Sequence, residues 1–177
     1  MTNTLTCKSI SAYVVSYSAD GGQSWYFLGI GITETHLLID TGVVSGSNQA
    51  LFKITASDGI NTTSDTSDSM FAVSQHEPEA VIQSPDDGSM FTVGQTLILR
   101  GRGYDLEDGT LADSALQWTS NLSGILGTGR TLTVPGLKMG THVFTLRVTD
   151  SDGSTATASV NVFVGSKVHL PLILRNY

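Results

Sequence analysis

The strongest constraint on the fold of this chain is a rhythm. Apolar and polar residues alternate in short runs, and each run stops at Gly, Asp, Asn or Ser. QALFKITAS (49–57) and HVFTLRVTD (142–150) are two of these runs. Alternation of period two sends successive side chains to opposite faces of an extended chain, so such runs fold as half-buried strands. No stretch carries the i, i+3, i+4 spacing of an amphipathic helix.

Along the chain, the runs form two sets. AYVVSYS (12–18), the turn signal ADGG and QSWYFLG (23–29) read as a hairpin. THLLID (35–40), QALFKITAS and SMFAVS (69–74) read as further strands, with DGINTTSDTSD as a polar connection. HEPEAVIQSPDDG (76–88) then interrupts the rhythm with two prolines and four acids, which marks a domain boundary near residues 75–78. AVIQS (80–84), TLILRGRGYD (96–105), ALQWTS (115–120), RTLTVPG (130–136), HVFTLRVTD and TASVNVFV (157–164) make the second set. Their spacing, about 8–12 residues, is that of a β-sandwich. The halves also align with each other, FKITASDGINT…MFAV (52–73) against TLRVTDSDGST…NVFV (145–164). The expectation is an all-β chain of two β-sandwiches in tandem, residues 1–75 and 76–165, with a tail over 166–177.

The first sandwich comes out short. A seven-stranded sandwich needs two strands before AYVVSYS, and MTNTLTCKSIS leaves room for one. Either the first domain lacks an N-terminal strand, or another element covers the open edge. An edge left open in this way invites pairing with a second chain, as an edge-strand homodimer.

Composition narrows the function. Hydrophobic residues make up 40% of the 177 and charged residues 14%, a globular balance. A net charge of −7, with nine scattered Lys and Arg, excludes a nucleic-acid binder, which needs cations to displace counterions. No apolar run approaches the ~20 residues of a membrane-spanning helix. MTNTLTCKSISAYVV has no basic region leading into an apolar one, so no secretion signal is visible in this chain. Cys7 is the only cysteine, which rules out an internal disulfide and reads as a small strand residue.

GILGTGRT (124–131) is one Lys-to-Arg change from a phosphate-binding loop. Such a loop needs a helix after it, because the helix N-terminus supplies the N–H groups and the dipole. The next residues are TLTVPG instead, β-branched, alternating and stopped by Pro135. The motif reads as a Gly-rich loop joining two strands. His36, His76, His142 and His169 stand in no metal-ligand spacing, and there is no Gly-x-Ser-x-Gly elbow or His-Glu-x-x-His. A small hydrolase would need a cleft, and a sandwich without long loops offers little room for one.

Two constellations remain. GYDLEDGTL (103–111) carries Asp105, Glu107 and Asp108, and TDSDG (149–153) carries Asp150 and Asp152. Calcium takes six to eight hard oxygen ligands from carboxylates on curving loops, and these two loops can meet at one end of a sandwich. SPDDG (84–88) would add Ser84, Asp86 or Asp87. Asp and Gly are equally good turn formers, and both readings stay open. The second constellation is Trp25 and Tyr26, one of which must face outward on a half-buried strand. It is a candidate surface for carbohydrate or a protein partner.

The second half resembles a bacterial immunoglobulin-like domain of the PKD type, carried by GYDLEDGTL, ALQWTS, GTGRTLTV and GTHVFTLRVTDSDGSTATASVNV. The first half resembles a fibronectin type III-like module, carried by YVVSYSADGGQSW and ALFKITASDGINT. The Trp-Asp-Phe-Gly-Asp-Gly signature usual in PKD-type domains is replaced by QWTSNLSG. The resemblance implies a non-catalytic, secreted or cell-surface module of a larger bacterial protein. It would act as a spacer or stabiliser or in adhesion to a protein or polysaccharide surface. It also implies Asp105, Glu107 and Asp150 as calcium ligands.

Overall fold

The computed structural model describes residues 10–166. The chain divides into two units, residues 1–76 and 77–177. Among the described residues there is no α-helix. Strands and turns carry the whole architecture, the all-β class expected from the alternation.

The first unit holds β1 (Ala12–Ser18), β2 (Tyr26–Ile32), β3 (Ser47–Ser57), β4 (Thr62–Thr66) and β5 (Phe71–Val73). They form one antiparallel sheet in the order β2-β1-β3-β4. The long strand β3 is shared: its C-terminal half pairs with β4, and Ser47 and Ala50 pair with β5. The pairs Tyr17↔Phe52 and Val15↔Ile54 place apolar side chains on a common face. Tyr17, Val44, Ala50 and Val73 are buried there, with Phe52 stacked on Phe71 at 4.9 Å. The Tyr17 hydroxyl donates to the Ser45 carbonyl (2.6 Å), which fastens the loop after β2 over the sheet.

Two expectations change in this unit. THLLID is not a strand; residues 33–40 run as irregular chain. A strand needs a ladder partner for its N–H and C=O groups, and residues 33–40 pair with none of the described strands. The polar connection DGINTTSDTSD does contain a strand, β4, whose five residues are all exposed. Its TTSDT sequence has β-branched residues but no apolar alternation, so periodicity could not show it. The open edges are blunted. β2 is broken by two register shifts, and β4 is polar and carries Asp65. Both features discourage pairing with another chain.

The second unit is a closed two-layer sandwich. Its strands are β6 (Glu79–Ser84), β7 (Ser89–Thr92), β8 (Leu97–Asp105), β9 (Gly109–Thr110), β10 (Leu116–Ser120), β11 (Gly124–Thr128), β12 (Thr131–Val134), β13 (Gly140–Thr149) and β14 (Thr155–Gly165). One sheet runs β11-β10-β13-β14-β7 and the other β12-β8-β6, with β9 paired to β8. β7 joins β14 in parallel, and it is held there by Asp87, whose Oδ1 accepts from the Asn161 backbone N–H at 2.6 Å.

The core repeats the alternation of the sequence. In β8, Leu97, Leu99, Gly101, Gly103 and Asp105 point inward while Ile98, Arg100, Arg102 and Tyr104 point out. In β13, His142, Phe144, Leu146 and Val148 point inward. Trp118 is fully buried between the layers and donates its indole N–H to the Gly129 carbonyl (2.9 Å). Gly101 faces it. A Cβ on Gly101 would stand 2.5 Å from Leu146 Cδ2 and 2.9 Å from Trp118 Cζ2. The RGRG run in the strand is therefore the recess that admits the indole.

Gly101→Ala is expected to destabilise the second unit by about 1–3 kcal/mol through overpacking. Chemical denaturation monitored by Trp118 fluorescence measures it. An unchanged midpoint would mean that the layers separate at no cost and that the recess is not required.

Candidate functional site

The DGG turn that joins β1 and β2 is built around Asp20. Its Oδ2 accepts from the Ser24 hydroxyl (2.5 Å), and its Oδ1 accepts from the Ser24 N–H and the Ser18 hydroxyl (both 2.8 Å). These donors, the Ser24 hydroxyl first, lower its pKa from 3.8 to about 2. The turn sets Trp25 on the sheet. The indole N–H donates to the Gly22 carbonyl (3.0 Å), and the Lys53 ammonium sits 4.1 Å from the ring centroid. Trp25 is half-buried and already has a cation on its face.

Tyr26 is 63% exposed but pairs with Tyr17, on the side of the unit's apolar core. Phe27, 69% exposed, pairs with Ser16, the residue that also pairs with Lys53. Trp25 thus shares its face with Phe27, not with Tyr26. Phe27 was not among the residues singled out from the sequence. The period-two rule applied to SWYF contains the signal, since residues two apart lie on one face.

The acidic loops do meet. Asp108 accepts from the Ser151 N–H (2.7 Å) through Oδ2 and from the Ser151 hydroxyl (2.8 Å) through Oδ1. The carboxylates of these loops serve the backbone. Asp105 Oδ1 accepts from the N–H groups of Glu107 and Asp108 (2.8 and 2.9 Å). Asp150 Oδ1 accepts from those of Asp152 and Ser154 (3.0 and 2.8 Å). Asp58 does the same for Ile60 and Asn61 in the corresponding turn of the first unit. The capping acid of the second turn is therefore Asp150, not Asp152 of the aligned Ser-Asp-Gly.

Among the described residues no three His, Cys, Asp or Glu side chains are grouped to hold a metal ion. Asp105 Oδ2 is nevertheless buried with no hydrogen-bond partner. Ser84, Asp86 and Asp87 do not join these loops. Asp87 clamps Asn161, six residues along β14 from Thr155, which is about 20 Å at 3.3 Å per strand residue.

GILGTGRT is ordinary sheet structure. Residues 124–128 form β11, a strand paired with β10, rather than the loop expected. Gly124, Gly127 and Gly129 all have positive φ (71°, 150° and 121°), so the glycines let a bulged hairpin curl. The Arg130 guanidinium donates to the Leu111 carbonyl (2.9 Å) and lies 3.3 Å from Asp113 Oδ1. It ties two loops together and cradles no phosphate. His142 is fully buried, with Nδ1 at 2.8 Å from Ser120 Oγ and Nε2 at 2.9 Å from the Lys138 carbonyl. This Ser–His pair lies inside the core, closed to any substrate.

Residues 119–164 match the family model described as K319L-like, PKD domain. The second unit is PKD-like. No curated protein sequence matches the chain. Among solved structures it is similar to fibronectin(III)-like modules of Clostridium thermocellum CbhA, at 17% identity and TM-score 0.42 over 51% of this chain and 100% of that one. It is also similar to a tandem of titin immunoglobulin domains, at 12% identity and TM-score 0.37 over 86% and 82%. Domains of the PKD and immunoglobulin-like kinds are generally non-catalytic. Among the described residues no helix is long and apolar enough to cross a membrane.

Asp20 is expected to titrate near 2, and Ser24→Ala to bring it back toward 3.8. Because the folded value is depressed, its contribution to the hairpin is complete above about pH 4 and lost as pH falls through 2. Carboxyl-carbon NMR titration reads both values. A wild-type midpoint near 3.8 would show that the Ser24 bonds do not hold in solution.

Proposed function

We propose that this chain is a non-catalytic accessory module of a larger secreted or cell-surface bacterial protein, serving as a spacer or in adhesion. The observation that carries the proposal is the closed core of the PKD-like second unit. Its buried polar side chains Ser120, His142, Asp105 and Asp150 each hold another part of the fold, and among the described residues they form no converging set that faces a cleft. What the chain does offer is surface. Phe27 and Ile30 are 69% and 71% exposed on β2, with Trp25 and Lys53 beside them. An aromatic surface with a cation suits a polysaccharide or a protein partner.

Sedimentation with insoluble cellulose, chitin or peptidoglycan separates the two roles. Retention that disappears in a Trp25→Ala, Phe27→Ala variant with an unchanged melting curve would assign adhesion to this face. No retention on any polymer would leave the spacer. Hydrolysis of a soluble substrate by the purified chain, lost in Asp150→Asn, would overturn the non-catalytic reading.

Calcium is a second part of this reading, favoured by the partnerless Asp105 Oδ2 at the junction of the acidic loops. An ion there would stabilise the fold by about 2.7 kcal/mol at a hundredfold excess over Kd. Thermal melting in EDTA and in millimolar calcium tests it. The expected result is a calcium-dependent rise that Asp105→Asn removes. Equal melting temperatures would leave Asp105, Glu107, Asp150 and Asp152 as turn-forming residues only.

A further inference from the structure

Asp-Gly occurs five times in the chain, at Asp20, Asp58, Asp87, Asp108 and Asp152, and each of these acids lies between consecutive strands. The dipeptide has a chemistry of its own. The glycine nitrogen attacks the Cγ of the preceding Asp, and the glycine has no Cβ to obstruct the approach. A C–N bond forms, and the hydroxyl of the neutral carboxyl leaves as water with the proton of the nitrogen. Water then opens the five-membered imide at the Asp main-chain carbonyl, which breaks the original peptide bond. The chain now runs through Cγ as isoaspartate, with no net change in composition. The step requires a carboxyl free to turn toward the nitrogen and a nitrogen free of other bonds.

Four of the five carboxylates are held in place. Asp20 accepts from the Ser24 hydroxyl (2.5 Å), Asp58 from the Asn61 N–H (2.7 Å), Asp87 from the Asn161 N–H (2.6 Å) and Asp108 from the Ser151 N–H (2.7 Å). Such bonds also keep a carboxyl ionised. At Asp20 and Asp58 they lower the pKa, led by the Ser24 hydroxyl and the Asn61 N–H, so the reactive neutral form is scarce. Asp152 differs at both reacting groups. It is exposed, and among the described residues its carboxylate accepts no hydrogen bond. The Gly153 N–H reaches the Asp150 carbonyl only at 3.4 Å, whereas the Gly88 N–H lies 2.8 Å from the Asn161 carbonyl and the Gly21 N–H 3.1 Å from the Gln49 carbonyl. The flanks of the turn are fixed, with Ser151 held by Asp108 and the Ser154 N–H by Asp150 Oδ1 (2.8 Å). We propose that Asp152 and Gly153 form a modification site, the one Asp-Gly pair that converts to isoaspartate while the protein is folded. The product lengthens the turn between β13 and β14 by one backbone carbon. It thereby reshapes the end of the second unit where the acidic loops meet, without any enzyme.

The experiment is prolonged incubation of the full chain at neutral pH and body temperature, in EDTA so that no cation at the acidic loops affects the outcome. Peptide mapping with electron-transfer fragmentation then measures isoaspartate at each of the five positions, in the folded chain and in denaturant. The yield in denaturant is the reference for each position. At Asp152 the folded chain is expected to match its reference. At Asp20, Asp58, Asp87 and Asp108 the folded yield should fall at least ~10-fold below it, because a charge-assisted hydrogen bond must break first. Asp152→Glu, whose longer side chain closes the ring poorly, should remove the product at that position and leave the melting curve and the other yields unchanged. A folded yield at Asp152 suppressed as much as at the held positions would overturn the proposal. So would equal, unsuppressed yields at all five, which would show that the hydrogen bonds select nothing.

Discussion

The second unit depends on one contact, the indole of Trp118 seated against a strand that has no side chain at Gly101. The ring fills the middle of the sandwich, and its N–H reaches the Gly129 carbonyl across the hairpin. Leu146 crowds the same recess from β13. Two sheets pack about 10 Å apart, and a tryptophan occupies that gap only if the facing strand yields. Everything around it is arranged accordingly. β11 curls on its glycines to bring Gly129 within reach, and Arg130 then secures the loop at Leu111.

The polar residues of this unit are spent in the same way. Asp87, Asp105, Asp108 and Asp150 each accept backbone N–H bonds and so fix the turns between strands. Helices satisfy their own main chain, whereas a sandwich must close every crossing with side chains or turns. The high Asp and Gly content and the low overall charge are thus one fact seen twice. The first unit uses Tyr17 for a similar purpose, with its ring in the core and its hydroxyl on the loop carbonyl of Ser45. It lacks a tryptophan between layers because its described strands make only one layer.

Much of the fold was legible in period-two alternation. β1, β3, β8, β10, β13 and β14 each correspond to a run read from the sequence, and most of their inward residues are apolar, with Asp105, Ser120 and His142 as exceptions. The candidate sites were less legible. The spacing of Asp105, Glu107, Asp150 and Asp152 is the same whether carboxylates converge on an ion or cap turns, because both uses favour acids beside glycine. Trp25 and Tyr26 are neighbours in sequence, which in a strand sets them on opposite faces, and the partner across the face proved to be Phe27.

By itself the sequence determined the all-β class and the turns, because each arises from local preferences: side-chain alternation, and glycine or aspartate at reversals. The tertiary structure alone decided that 124–128 is a strand, that residues 33–40 are not, and that β4 exists without an apolar pattern. A strand is defined by the neighbour that takes its hydrogen bonds, and that neighbour is distant in sequence. Gly124–Thr128 has β10 beside it, and TTSDT has β3. THLLID has the right residues, but it lies along none of the described strands.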